Sequence, residues 1–144
     1  MNIMSIDIPT DKELIFDLEE CYEWIKRCGV IDNTDSIYQN QDPALFLMRE
    51  MISGVLPLNI LSVLSNKEID PNKYSQFTLN PKESQFDCVT NIKLFNKEAV
   101  CYFKMNELDI VDPVNLYNGK EFGKFILLLS KLSKCEFAKR LKIM

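Results

Sequence analysis

From Gln85 to Ser133 the chain sets apolar side chains three and four residues apart, the interval that lines one side of an α-helix. The run reads QFDCVTNIKLFNKEAVCYFKMNELDIVDPVNLYNGKEFGKFILLLSKLS. Asn80-Pro81 followed by Glu83 supplies a start signal, and Phe86, Val89, Ile92 and Phe95 form the expected inner face. Residues 96–105 either extend this helix or restart after a kink. Asp112-Pro113 breaks the pattern, with Asp109 and Asp112 acting as caps and turn formers. Asn118 with Glu121 then opens a last helix whose Phe122, Phe125 or Ile126, Leu129 and Leu132 are spaced to meet a core. No segment alternates with period two, so a sheet has no source here. The chain is expected to be all-α.

The earlier residues extend that pattern. Thr10 and Glu13 match a capping box, in which the hydroxyl accepts from a free backbone N–H and the carboxylate reaches back. Leu14, Leu18, Cys21, Trp24 or Ile25, and Cys28 follow at helical spacing, and Gly29 suits a left-handed stop. Asp42-Pro43 marks a second start, and residues 44–52 are apolar on most sides. Ser53-Gly54 interrupts them, and Pro57 is expected to open a short helix carrying Leu58, Leu61 and Leu64. Residues 65–80 are polar and read as a surface loop. Trp24, Leu61, Phe86, Ile92, Phe95, Phe122 and Leu129 are the predicted core anchors. Gly123, one turn into a helix, costs ~1 kcal/mol relative to Ala, which points to a close packing contact there.

Little in the sequence carries chemistry. At 144 residues the chain has the length of one domain, and 47% hydrophobic content suits a packed globule. Apolar runs such as Phe125–Leu129 reach five residues, far short of the ~20 that a membrane span needs. The first residues lack the basic and apolar parts of a secretion signal, so the expected location is the cytoplasm. There is no His, which removes the commonest general base and metal ligand. Five Cys without a Cys-x-x-Cys pair read as reduced core thiols, and the isolated Gly residues form no phosphate loop. No catalytic residue, cofactor or metal ligand is therefore assigned.

The net charge of −4 is uneven: residues 1–119 hold 10 basic and 19 acidic side chains, residues 120–144 hold 7 and 2. An acidic body disfavours nucleic acid, whose phosphates need a basic footprint. The basic end suits either an acidic partner or the solvated back of a terminal helix.

The order of these helices and turns resembles the calponin homology domain, and most of all the single N-terminal one of Vav-type guanine nucleotide exchange factors for Rho-family GTPases. Gln85-Phe86, Cys88, Asn91-Ile92, Phe95, Glu107-Leu108 and Phe122-Gly123-Lys124 recur in that family's corresponding run. Cys21 to Val30, with Trp24, is similar to its opening helix, and Ile52-Ser53-Gly54-Val55-Leu56 to its Asp-Gly turn, with Ser53 in place of the Asp. The resemblance implies four main helices plus shorter ones, with the domain over residues 10–134 and a helical extension or linker over 135–144. It also implies a non-catalytic regulatory module that packs against other domains of its own polypeptide, associated with the actin cytoskeleton and monomeric. Phe137 and Leu141 continue a helical period, as expected where a further domain follows.

Direct F-actin binding is the alternative, with Lys26, Arg27, Lys120 and Lys124 as contacts. It is expected to be weak, because Asp11 to Cys28 holds six acidic and three basic residues and actin is acidic. Asn91, beside the apolar face, is expected to hydrogen-bond a loop backbone rather than a partner.

Overall fold

A computed structural model describes residues 18–30, 49–79, 81, 84–135 and 138. The Thr10–Glu13 capping box and the Asp42-Pro43 start lie outside the described residues. Within them there are helices and turns and no strand.

Helix α1, Leu18–Cys28, buries Cys21, Trp24, Ile25 and Cys28, the i, i+3, i+4, i+7 set that shares one face. Gly29 ends it at φ 80. Residues 49–53 are helical and stop at Gly54, also at φ 80, where a residue without Cβ turns without strain. Helix α2, Val55–Leu64, therefore begins two residues before Pro57. The Ser53 hydroxyl accepts the Val55 N–H at 3.1 Å, and Pro57 sits in the first turn, where its missing N–H has no intrahelical partner to lose. Leu56, Pro57, Leu58, Ile60, Leu61 and Leu64 are buried around most of its circumference, so α2 runs through the middle of the molecule.

Residues 65–79 are largely polar yet not merely superficial. Ile69 and Pro71 turn inward and are buried. The buried Ser65 hydroxyl accepts the Ile69 N–H at 2.9 Å, and Asp70 caps a 3-10 turn over Pro71–Lys73.

Helix α3, Gln85–Cys101, starts at Ser84, whose hydroxyl accepts the Asp87 N–H at 3.3 Å, rather than at Asn80-Pro81. It runs unbroken through Asn96 to Cys101 and buries Cys88, Val89, Asn91, Ile92, Phe95, Asn96 and Ala99. Phe86 does not join that face: its side chain is 77% exposed. At about 100° per residue, Phe86 lies roughly 140° from the middle of the buried stripe, so its place among the core anchors is corrected.

The short α4, Pro113–Tyr117, is capped by Asp112, which accepts the Asn115 N–H at 2.9 Å. Asn118 closes this helix instead of opening the next. Helix α5, Phe122–Ser133, starts after Glu121, which holds φ 61 without a side-chain cap. Phe125, Ile126, Leu128, Leu129 and Leu132 are buried, whereas Phe122 is only partly buried at the edge of the core. Gly123 also differs from expectation: a Cβ there would meet nothing within 4 Å, so no close contact requires it.

In the core, α2 packs on α1 and α3, α3 on α4, and α1 on α5. Trp24, Phe95 and Phe125 are its largest fully buried side chains, and the Phe95 and Phe125 rings lie 5.3 Å apart at a tilt of 53°. That is a favourable offset for two aromatic quadrupoles. Leu61, Ile92 and Leu129 are likewise buried.

Candidate interaction surface

The interior is chemically quiet. Cys21, Cys28 and Cys88 are buried; Cys101 is exposed, and Cys135 is half-buried. Burial pushes the Cys21 and Cys28 thiols up to about 12 and raises that of Cys88, so these three stay protonated and inert at neutral pH. Among the described residues, no group of three or more His, Cys, Asp or Glu is placed to hold a metal ion. No described helix is long and apolar enough to cross a membrane.

One buried polar residue holds three segments together. Asn91, on α3, donates through Nδ2 to the carbonyls of Ser53 at 3.0 Å and Thr78 at 2.9 Å, and accepts the Thr78 N–H at 3.0 Å. It thereby satisfies loop backbone groups, as its position beside the apolar face predicts. The approach is close enough that a Cβ on Gly54 would lie 2.4 Å from the Asn91 Cβ. Gly54 thus takes the role that sequence reasoning gave to Gly123.

The four basic residues expected to meet a partner fall at two places. Lys26 and Arg27 occupy the last turn of α1; Lys120 precedes α5, and Lys124 lies in its first turn. Lys26 is partly engaged, 3.1 Å from Glu23 and over the Tyr22 ring at 4.9 Å. Arg27, Lys120 and Lys124 are exposed. Lys131, two turns beyond Lys124, pairs with Asp109 at 2.9 Å.

Apolar side chains also face solvent: Phe86 at 77%, Leu108 at 80%, Leu79 at 57% and Val114 at 40%. Periodicity assigned Phe86 to the core, and Leu108 carried no signal beyond the family resemblance. Each is held by a defined turn. Phe86 follows the Ser84 cap, and Leu108 sits in a 3-10 turn where its N–H donates to Asn106 Oδ1 at 2.8 Å.

Among its described residues this is a helical domain packed around one core, with several apolar side chains presented outward, which places it in the all-α class. The chain is a member of the calponin homology (CH) domain family, whose model matches residues 18–137. It is 31% identical to Protein vav of Drosophila melanogaster over 85% of this chain and 15% of that protein. It is 27% identical to the human guanine nucleotide exchange factor VAV3 over 83% of this chain and 14% of that protein. A solved structure of Vav1 inhibited by an allosteric inhibitor superposes with a TM-score of 0.78 at 26% identity, over 88% of this chain and 22% of that one. The chain thus spans about one seventh of the length of these curated relatives.

Proposed function

We propose that this CH domain is the N-terminal regulatory domain of a Rho-family guanine nucleotide exchange factor and catalyses nothing itself. In this reading it packs against other domains of its own polypeptide and restrains exchange. It works in the cytoplasm, in signalling to the actin cytoskeleton, as a monomer.

The observation that carries the reading is the outward placement of Phe86 and Leu108. Both belong to the residues on which the Vav-type resemblance rests, and the core uses neither. A large apolar side chain presented by a fixed turn is what a partner domain buries at an interface. The similarity to Vav-type proteins over most of the chain supports the remainder of an exchange factor as that partner.

The test is nucleotide exchange on a Rho-type GTPase by the polypeptide that carries this domain. Three forms are compared: intact, lacking residues 1–144, and carrying Phe86→Ser with Leu108→Ser. Faster exchange in both altered forms is expected. An unchanged rate in the deletion removes the restraining role.

Exposed Arg27, Lys120 and Lys124 favour a second reading, direct and weak binding to F-actin. Glu20 and Glu23 on α1 oppose it, since like charges at an interface slow encounter and cost affinity. Co-sedimentation with filaments at low and high salt decides. A pelleted fraction equal to the control at low salt removes it.

A further inference from the structure

Among the described residues, the 65–79 segment is tied to α3 by side-chain hydrogen bonds at two points, and one of them is a tyrosine. The Tyr74 hydroxyl donates to Glu98 Oε2 at 2.5 Å, bridging 24 residues of sequence. The second point, the Asn91–Thr78 pair, lies toward the other end of the segment. Tyr74 itself is extended, at φ −91 and ψ 126, between the Pro71–Lys73 turn and a second turn at 75–76, and Asn72, Lys73, Ser75 and Gln76 are exposed. Its nearest backbone bonds are local turns, Tyr74 N–H to the Pro71 carbonyl at 3.1 Å and Phe77 N–H to the Tyr74 carbonyl at 3.2 Å. Short turns of this kind open at low free-energy cost while the core stays closed. The half-buried Tyr74 packs at the edge of the core, but its hydroxyl is hydrogen-bonded to one carboxylate, and it comes within reach of a modifying enzyme when the flanking turns open.

We propose that Tyr74 is a phosphorylation site for a tyrosine kinase, and that the modification releases the 70–77 stretch from α3. The kinase transfers the γ-phosphoryl group of ATP to Tyr74 Oη. The bond from the γ-phosphorus to the bridging oxygen breaks, ADP leaves, and the Oη proton passes to the kinase's base. The product has no Oη–H left to donate to Glu98. In its place a phosphate of nearly two negative charges faces a carboxylate, and like-charge repulsion separates them. Neighbouring Lys73 is exposed and free to draw the phosphate outward. Burial and the Glu98 carboxylate also hold the Tyr74 hydroxyl in its protonated form, consistent with the contact being made by a neutral donor. The device belongs to the domain alone and does not depend on the exchange-factor reading.

The test treats the intact protein with ATP, Mg²⁺ and a tyrosine kinase of broad specificity, maps the phosphate by mass spectrometry, and follows amide exchange. Phosphate on Tyr74 is expected, with the amides of Tyr74 and Phe77 exchanging at least about tenfold faster while those of α2 are unchanged. Glu98→Gln, which keeps an acceptor but removes the charge, should show a smaller acceleration on phosphorylation. Two results overturn the proposal. One is no label on Tyr74 in the folded protein when a peptide spanning residues 68–80 is labelled. The other is a phosphorylated Tyr74 with unaltered amide exchange.

Discussion

Gly54 and Asn91 approach each other closely, and their substitution separates strain from lost hydrogen bonds. Gly54→Ala places a Cβ 2.4 Å from that of Asn91 at a backbone angle of φ 80, which L side chains rarely adopt. A loss above about 2 kcal/mol by urea denaturation is expected, with no local rearrangement to absorb it. Asn91→Ala removes the bonds to Ser53 and Thr78 and should cost about 2–4 kcal/mol, because partly buried carbonyl and amide groups lose their partners. The role of Asn91 follows from the sequence, where it borders the apolar stripe of its helix. The role of Gly54 does not, because a contact across 37 residues leaves no periodic trace. Gly123 draws attention instead, on the general cost of Gly in a helix.

The buried thiols set a second expectation at this scale. Cys21 and Cys28 hold their protons up to about 12 in the fold, against 9.0 when exposed. Below 9.0 both states are protonated and the stability from thiol burial is complete. As pH rises from there toward about 12, the unfolded thiols ionise first and that stability is lost. Tyr74, raised from 10.0 to about 12, adds to the decline in the same direction. Urea midpoints should therefore fall between neutral pH and about pH 11, less steeply in Cys21→Ala.

At the scale of elements, helix positions are legible from spacing while their first residues depend on which cap prevails. Asn80-Pro81 reads as the start of α3, but the helix begins at Ser84. Ser84 prevails because its hydroxyl reaches the Asp87 N–H. The final helix misleads more strongly, since Glu121 enters it through φ 61 with no capping side chain. A register judged from four apolar residues likewise gave Phe86 to the core. Its rotation away from the stripe predicts that Phe86→Ala changes stability by no more than about 0.5 kcal/mol. Phe95→Ala, on the fully buried side of the same helix, should cost about 3–5 kcal/mol. Thermal melts of the two variants compare them directly.

For the whole molecule, fold class was readable because 47% apolar content distributed at helical intervals has one economical solution, helices around a common core. The outward-facing Phe86 and Leu108 were not, since an exposed apolar residue obeys the same spacing rules as a buried one. The most direct consequence at this scale concerns the joint between α2 and α3. These helices meet across the core, and the Asn91 bond to Ser53 ties α3 to the residues just before α2, both independently of the segment that links the two helices. Protease cleavage between Asn72 and Gln76 should accordingly yield two fragments that travel together on gel filtration and part only in denaturant. The covalent connection there is a tether, and the domain is in effect a self-assembled complex of its own two halves.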